Sequence, residues 1–159
     1  MQKNPQPKIL KDFLVYLTTI KGKSQRTRKE YEYDLTLFFR FHLAMQNDID
    51  IAQLNEINIA TITIEEIRDI TLEDLYLFME YCEVQRNNSA SARARKVATL
   101  KSFFKYIKGK RRLIEENPAE ELETPKIGRR KPIYMNMDEA TQFIEGIQLH
   151  RASPRNYCM

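Results

Sequence analysis

With 159 residues, 42% of them apolar, the chain has the length and core material of one domain, or of one domain and part of another, and is not a disordered tail. The formal net charge of +4 hides an uneven distribution: Lys21 to Lys29 carries five bases and no acid, Gln46 to Glu83 carries ten acids against the single base Arg68, and Val84 to Ile114 has no acid. Two histidines, four glycines and two cysteines at no metal-binding spacing leave no catalytic constellation, phosphate-cradling loop, metal site, cofactor site or disulfide framework to assemble.

Residues 1–7, with Pro5 and Pro7, read as a loose lead-in, and Lys8, Lys11 and Asp12 interrupt any apolar run there. Because no apolar stretch approaches the length a membrane span needs, the expectation is a soluble, cytoplasmic protein without a membrane partner or a small-molecule substrate. Ile9, Phe13, Leu14 and Leu17 then predict a short amphipathic helix stopped by Gly22. Ser24 caps a second, longer helix whose apolar side runs Tyr31, Leu35, Phe38, His42, Met45 and whose opposite face carries Arg26, Lys29, Tyr33, Thr36 and Arg40. His42 lies in the apolar register with no second ligand near it, so it reads as a packed histidine.

The stretch from Asp48 to Asp69 is rich in Ile and Thr, but a lone strand would have no partner, so it predicts a long connection with short helical turns. Thr71 and Asp74 form a capping box for a third helix with the core stripe Leu72, Leu75, Phe78, Met79, Cys82. Its acids Glu73, Glu80 and Glu83 read as a solvated face.

Ser89 to Lys108 is both the best helix and the most basic segment. Capped by Ser89 or Ser91, it places Val97, Leu100, Phe103, Phe104 and Ile107 on one apolar arc. The opposite face holds Ser91, Arg95, Ala98, Ser102 and Lys105, with Thr99 and Lys101 at its edges. Cationic but otherwise small, that face would let a phosphate backbone or groove floor approach closely, with Arg95 as the reaching group. Gly109 ends the helix, and Asn117-Pro118 is expected to start a further short one through Leu122. From Thr124 the run TPKIGRRKP reads as an extended linker, and Asn136 or Asp138 caps a last helix bearing Ala140, Phe143, Ile144 and Ile147. The predicted organisation is an all-α first domain over residues 1–124, a linker over 125–132, and the start of a second domain over 133–159.

Two helices share a pattern. Ser24 to Lys29 and Ser91 to Lys96 both read S-x-R-x-R-K, and each helix continues to L-x-x-F-F, at Leu35 to Phe39 and Leu100 to Phe104. Each begins with a hydroxyl cap and a cationic first turn and ends in aromatic anchors, and such helix N-termini suit phosphate contacts. Nucleic acid is the partner this favours, through Ser24, Arg26, Thr27, Lys29 and Tyr33 on the second helix, Ser91, Arg95, Thr99, Lys101 and Lys105 on the fourth, and Arg129, Arg130 and Lys131 in the linker. The competing reading is an all-helical protein–protein module whose basic faces meet an acidic partner.

Several motifs in order resemble the N-terminal half of a tyrosine recombinase of the phage-integrase family, XerC/XerD-like. They are Ser24, Thr27, Tyr31, Asp34-Leu35 and Phe38, then Thr71 to Asp74, then R-x-x-A-x-L-K-S-F-F from Arg95 to Phe104. Asn117-Pro118-Ala119, Thr124-Pro125-Lys126, Arg130-Lys131-Pro132 and Met135 to Ala140 complete the set. The resemblance implies a four-helix SAM-like core-binding domain forming one jaw of a clamp on duplex DNA, its second and fourth helices at the major groove, with other recombinase protomers as partners on DNA. It also implies a catalytic domain bearing Arg, Lys, His, Arg, His and a nucleophilic Tyr, the first of them beyond Met159. Tyr157, which precedes that arginine, is not the nucleophile, and no catalytic residue is expected in this chain.

Overall fold

The computed structural model of the protein describes residues 6–128 and 136–149, and of residues 145–149 the backbone alone. The described residues form six α-helices: α1 (Lys8–Thr19), α2 (Gln25–Gln46), α3 (Ile64–Arg68), α4 (Leu72–Val84), α5 (Ala90–Gly109) and α6 (Met137–Leu149). Two 3-10 turns, Ile51–Glu56 and Ile59–Thr61, lie between α2 and α3, and no strand occurs among the described residues. The fold is all-α, as the periodicity requires. The chain divides into two units, Met1–Ile127 and Gly128–Met159.

Local chemistry accounts for the helix ends. Gly22 takes φ 60°, the left-handed conformation that glycine adopts without strain, and Lys23 N–H returns to the Leu17 carbonyl at 2.9 Å. Ser24 Oγ accepts from Thr27 N at 3.1 Å, and Ser89, not Ser91, caps α5 by accepting from Ala92 N at 3.3 Å. Thr63 with Glu66 and Thr71 with Asp74 close reciprocal capping boxes on α3 and α4. In the second unit Asn136 Oδ1 accepts from Glu139 N at 2.8 Å while Glu139 Oε2 accepts from Asn136 N at 2.9 Å, which starts α6.

Side chains 65 positions apart pair between α2 and α5, Glu30 with Arg95 and Asp34 with Thr99, so the two helices run parallel with their N-termini at one end of the bundle. With Ser89 as the cap, the same offset relates Ser24 to Ser89, Leu35 to Leu100, Phe38 to Phe103 and Phe39 to Phe104. Four rings meet at the centre. Phe39 packs edge-on against Phe103 at 5.5 Å and Phe38 against Phe104 at 6.4 Å, both at 78°. Exchanging the two helices exchanges these contacts, so the repeated L-x-x-F-F is a local pseudo-twofold in the core. Phe13 of α1 sits against Phe103 and Tyr106, each at 5.3 Å, and Phe78 of α4 against Phe38 at 5.2 Å. Each such aromatic pair adds roughly 0.5–1.5 kcal/mol to the burial of its rings.

Two expectations need correction. Asn117 to Leu122 is not a helix. Asn117 Oδ1 accepts from Ala119 N at 3.0 Å and the Asn117 carbonyl from Glu120 N at 3.0 Å, making a turn that plants Ala119 and Leu122 in the core. So short a segment cannot repay helix nucleation. The face of α2 opposite its predicted stripe is also not uniformly solvated. The 49–70 connection wraps the C-terminal half of α2, burying Leu54, Ile59, Ile62, Ile67 and Ile70 with Leu37, Phe41 and Ala44. Arg40 Nε donates to the Ile57 carbonyl at 3.1 Å across this contact, while Met45, expected in the core, is 47% exposed.

Candidate nucleic-acid interface

The parallel run of α2 and α5 puts their first turns side by side. The backbone N–H groups of the first two residues of each helix, Gln25 and Arg26 and then Ala90 and Ser91, precede the first hydrogen-bonded position, and a helix N-terminus of this kind attracts anions. Arg26, Lys29 and Tyr33 are exposed on α2, and Ser91, Ala98 and Lys105 on α5. Arg26, Lys29 and Lys105 form no ion pair among the described residues. Ser24 and Thr27 hold each other at the α2 cap, with 3.0 Å between their hydroxyls. Lys101 is half-buried, its ammonium donating to the Glu120 carbonyl at 3.3 Å, so it faces the 110–121 segment. Arg129, Arg130 and Lys131 lie outside the described residues.

Arg95 does not reach freely into solvent. One guanidinium nitrogen binds the Glu30 carboxylate and the other lies 3.2 Å from Asp34 Oδ1. Thr99, placed by periodicity at the edge of the open face, is fully buried. Its hydroxyl donates to Asp34 Oδ2 at 3.2 Å, because α2 packs on that side of α5.

Behind the surface lies a polar hub that periodicity did not single out. Lys96 Nζ donates to Asp34 Oδ1 at 2.7 Å, with the two side chains only 3% and 2% exposed. The ammonium also stands 5.4 Å over the Tyr33 ring, whose hydroxyl accepts from Arg86 Nη2 at 2.8 Å. A buried pair balances desolvation against attraction, so its net stabilisation is small, but its geometry fixes how α2 and α5 are set against each other. A signal for it was present: Asp34 falls one turn before Phe38, and Lys96 one turn before Leu100, so opposite charges sit within the two apolar arcs.

Elsewhere the chemistry is sparse. A cleft of about 940 Å³ between residues 67–72 and 108–121 has no histidine, cysteine or serine in its lining, and its Thr71 hydroxyl is engaged in the α4 capping box with Asp74. Cys82 is buried against α5, and burial pushes its thiol up to about 11. His42 stacks on Phe38 at 6.1 Å. Its Nε2 is buried without a partner, and burial holds its pKa below the ordinary value against the opposing pull of Asp74, Glu66 and Asp69. No described helix is long and apolar enough to cross a membrane.

Comparison with known proteins places these features in context. The family model described as "Phage integrase, N-terminal SAM-like domain" matches residues 9–113. The chain is 40% identical over 142 residues to a tyrosine recombinase XerC of Caldanaerobacter subterraneus subsp. tengcongensis, covering 89% of this chain and 40% of that protein. It is 30% identical over 136 residues to a tyrosine recombinase XerD of Listeria monocytogenes serotype 4b, covering 86% of this chain and 40% of the relative. With a tyrosine recombinase XerC of Herpetosiphon aurantiacus it shares 29% identity over 136 residues, covering 86% and 38%. The chain thus spans about 40% of the length of these curated relatives. No solved structure matches.

Proposed function

The chain belongs to the phage integrase N-terminal SAM-like family, and from that premise we propose that it binds duplex DNA as the clamp domain of a site-specific tyrosine recombinase. The observation that carries this reading is the end of the bundle where α2 and α5 begin together. Two helix N-termini lie side by side there, and Arg26 and Lys29 form no ion pair among the described residues. Carboxylates hold Arg28, Arg93, Arg95, Lys96, Lys108 and Arg111 in intramolecular bridges, whereas Arg26 and Lys29 at this end stay open as contacts for phosphate. Ser24, Thr27 and Ser91 line the same end with hydroxyls suited to phosphate oxygens, Tyr33 lies beside them, and Lys105 continues the track about 21 Å along α5 from Ser91 at about 1.5 Å per residue. Phosphate contacts, which position a protein on DNA, are proposed as well for Lys101 and for Arg129, Arg130 and Lys131 of the linker. Thr99 has no surface to offer.

Strand cleavage in this family needs a tyrosine nucleophile with cationic and imidazole groups around the phosphorus. We assign that chemistry to sequence outside this stretch and expect supercoiled DNA to remain supercoiled in its presence. The whole recombinase would act with further protomers on DNA.

Anisotropy of a labelled duplex, measured across a salt series, tests the reading. Affinity should fall log-linearly with salt, and Arg26→Ala and Lys29→Ala should each reduce the slope by about one on any sequence. Absence of duplex binding at low salt would transfer the basic faces to an acidic protein partner.

A further inference from the structure

Resting on the duplex-binding reading, we propose that Glu30 lowers duplex affinity on this face by holding Arg95 as an internal substitute for phosphate. The charges explain why Arg95 is available to be held. Asp34 and Lys96 neutralise each other in the core at 2.7 Å, with Thr99 donating to the same carboxylate and Arg95 Nη2 only touching it from outside at 3.2 Å. Arg95 is therefore a surplus cation whose solvent-side partner is Glu30. Both side chains are accessible, Arg95 33% and Glu30 44% exposed, so Arg95 can exchange Glu30 for another anion without opening the Asp34–Lys96 pair. The Arg95 Nη1 contacts to Glu30 include the Glu30 backbone carbonyl at 3.4 Å, which keeps the guanidinium over α2 rather than extended from α5.

Glu30 is an acid set into an otherwise cationic end, one helical turn from Arg26 and beside Lys29. A stability argument for it is weak, because a pair this exposed contributes little. Against DNA its effect is larger. On an arbitrary duplex, a phosphate must displace a carboxylate that already satisfies Arg95, and the remaining Glu30 charge then faces the polyanion. The exchange gains little. Where a guanine presents O6 and N7 to the guanidinium, the bidentate pair outweighs the lost ion pair. The same ion pair is lost at either kind of site, so Glu30 subtracts from duplex binding generally, by at most the strength of its pair with Arg95.

The test compares Glu30→Gln with the unaltered protein on two duplexes, one enriched from a random library by the unaltered protein and one scrambled. On both duplexes Glu30→Gln should bind more tightly, with the log–log salt slope steeper by about 0.9. Adding Arg95→Ala should remove the increment, and Glu30→Ala should reproduce it, which separates release of Arg95 from any change in packing. If Glu30→Gln binds the scrambled duplex no more tightly with an unchanged slope, or if the increment survives Arg95→Ala, Glu30 is a helix-surface acid and the proposal is overturned while duplex binding stands. If the unaltered protein shows no salt-dependent duplex binding, the binding reading fails and this one with it.

Discussion

Removing Asp34 should be among the most damaging single changes available to this bundle. Asp34 accepts from Lys96 Nζ at 2.7 Å and Thr99 Oγ1 at 3.2 Å, and Arg95 Nη2 lies 3.2 Å away. In Asp34→Ala the Lys96 ammonium, 3% exposed, keeps only the Tyr33 ring beneath it. A buried charge deprived of its partner costs about 3–5 kcal/mol, where exchanging the whole pair for packed apolar groups is often neutral or stabilising. Against a total stability of about 5–15 kcal/mol this is a large fraction. At roughly 4 °C per kcal/mol for a domain of this size, the melting temperature should fall by about 12–20 °C. Lys96→Met should cost less, because Asp34 retains Thr99 and Arg95. The double replacement Asp34→Ala with Lys96→Met should be more stable than the sum of the two losses by at least about 2 kcal/mol. Urea unfolding followed by far-ultraviolet circular dichroism measures all four states of the cycle. A loss below about 1 kcal/mol for Asp34→Ala, or strict additivity in the double variant, would refute the account of the hub.

Three further predictions concern the same bundle. His42 is held neutral by burial, with its pKa lowered from the ordinary 6.5, so the unfolded chain binds the extra proton as pH falls through 6.5. Stability should therefore be intact above that value and decline below it with a slope of at most about 1.4 kcal/mol per pH unit from this group, and His42→Phe should flatten urea midpoints measured between pH 7.5 and 5. Ser89→Ala should lose about 1 kcal/mol as a cap, whereas Ser91→Ala should be nearly neutral; equal losses on thermal melting would contradict the cap seen at Ser89. Cys82, its thiol raised to about 11 by burial, should resist iodoacetamide at pH 8 until denaturant is added, and rapid native alkylation in the Cys82 peptide by mass spectrometry would show the α4–α5 seam to be open.

How far the sequence could be read depends on which partner each residue answers to. The stripe Val97, Leu100, Phe103, Phe104, Ile107 is buried throughout, because a 3.6-residue period needs only the helix itself to be visible. Ala94, Lys96, Thr99 and Tyr106 are buried as well. They lie off that stripe or carry polar groups, and only the arrival of α1, α2 and α4 around α5 encloses them. The same holds for α2, where Met45 is exposed and Leu37 and Phe41 are buried. There the 49–70 connection, written in short turns with no period of its own, decides which side is inside. The repeated S-x-R-x-R-K tempted an alignment of Ser24 with Ser91, two residues away from the offset that relates the two L-x-x-F-F motifs. Capping geometry resolves it, since Ser89 restores the common offset of 65 seen in the Asp34–Thr99 bond. The cationic face was legible as composition, and its exposed members Arg26, Lys29 and Lys105 follow from helical phase alone. Which of its cations are available was not, because Arg95 and Lys96 find their acids 65 and 62 residues earlier. A count of bases overstates a binding surface wherever the fold supplies the counter-charge. On this face the acids at Glu30 and Asp34, as much as the bases around them, determine what an incoming phosphate meets.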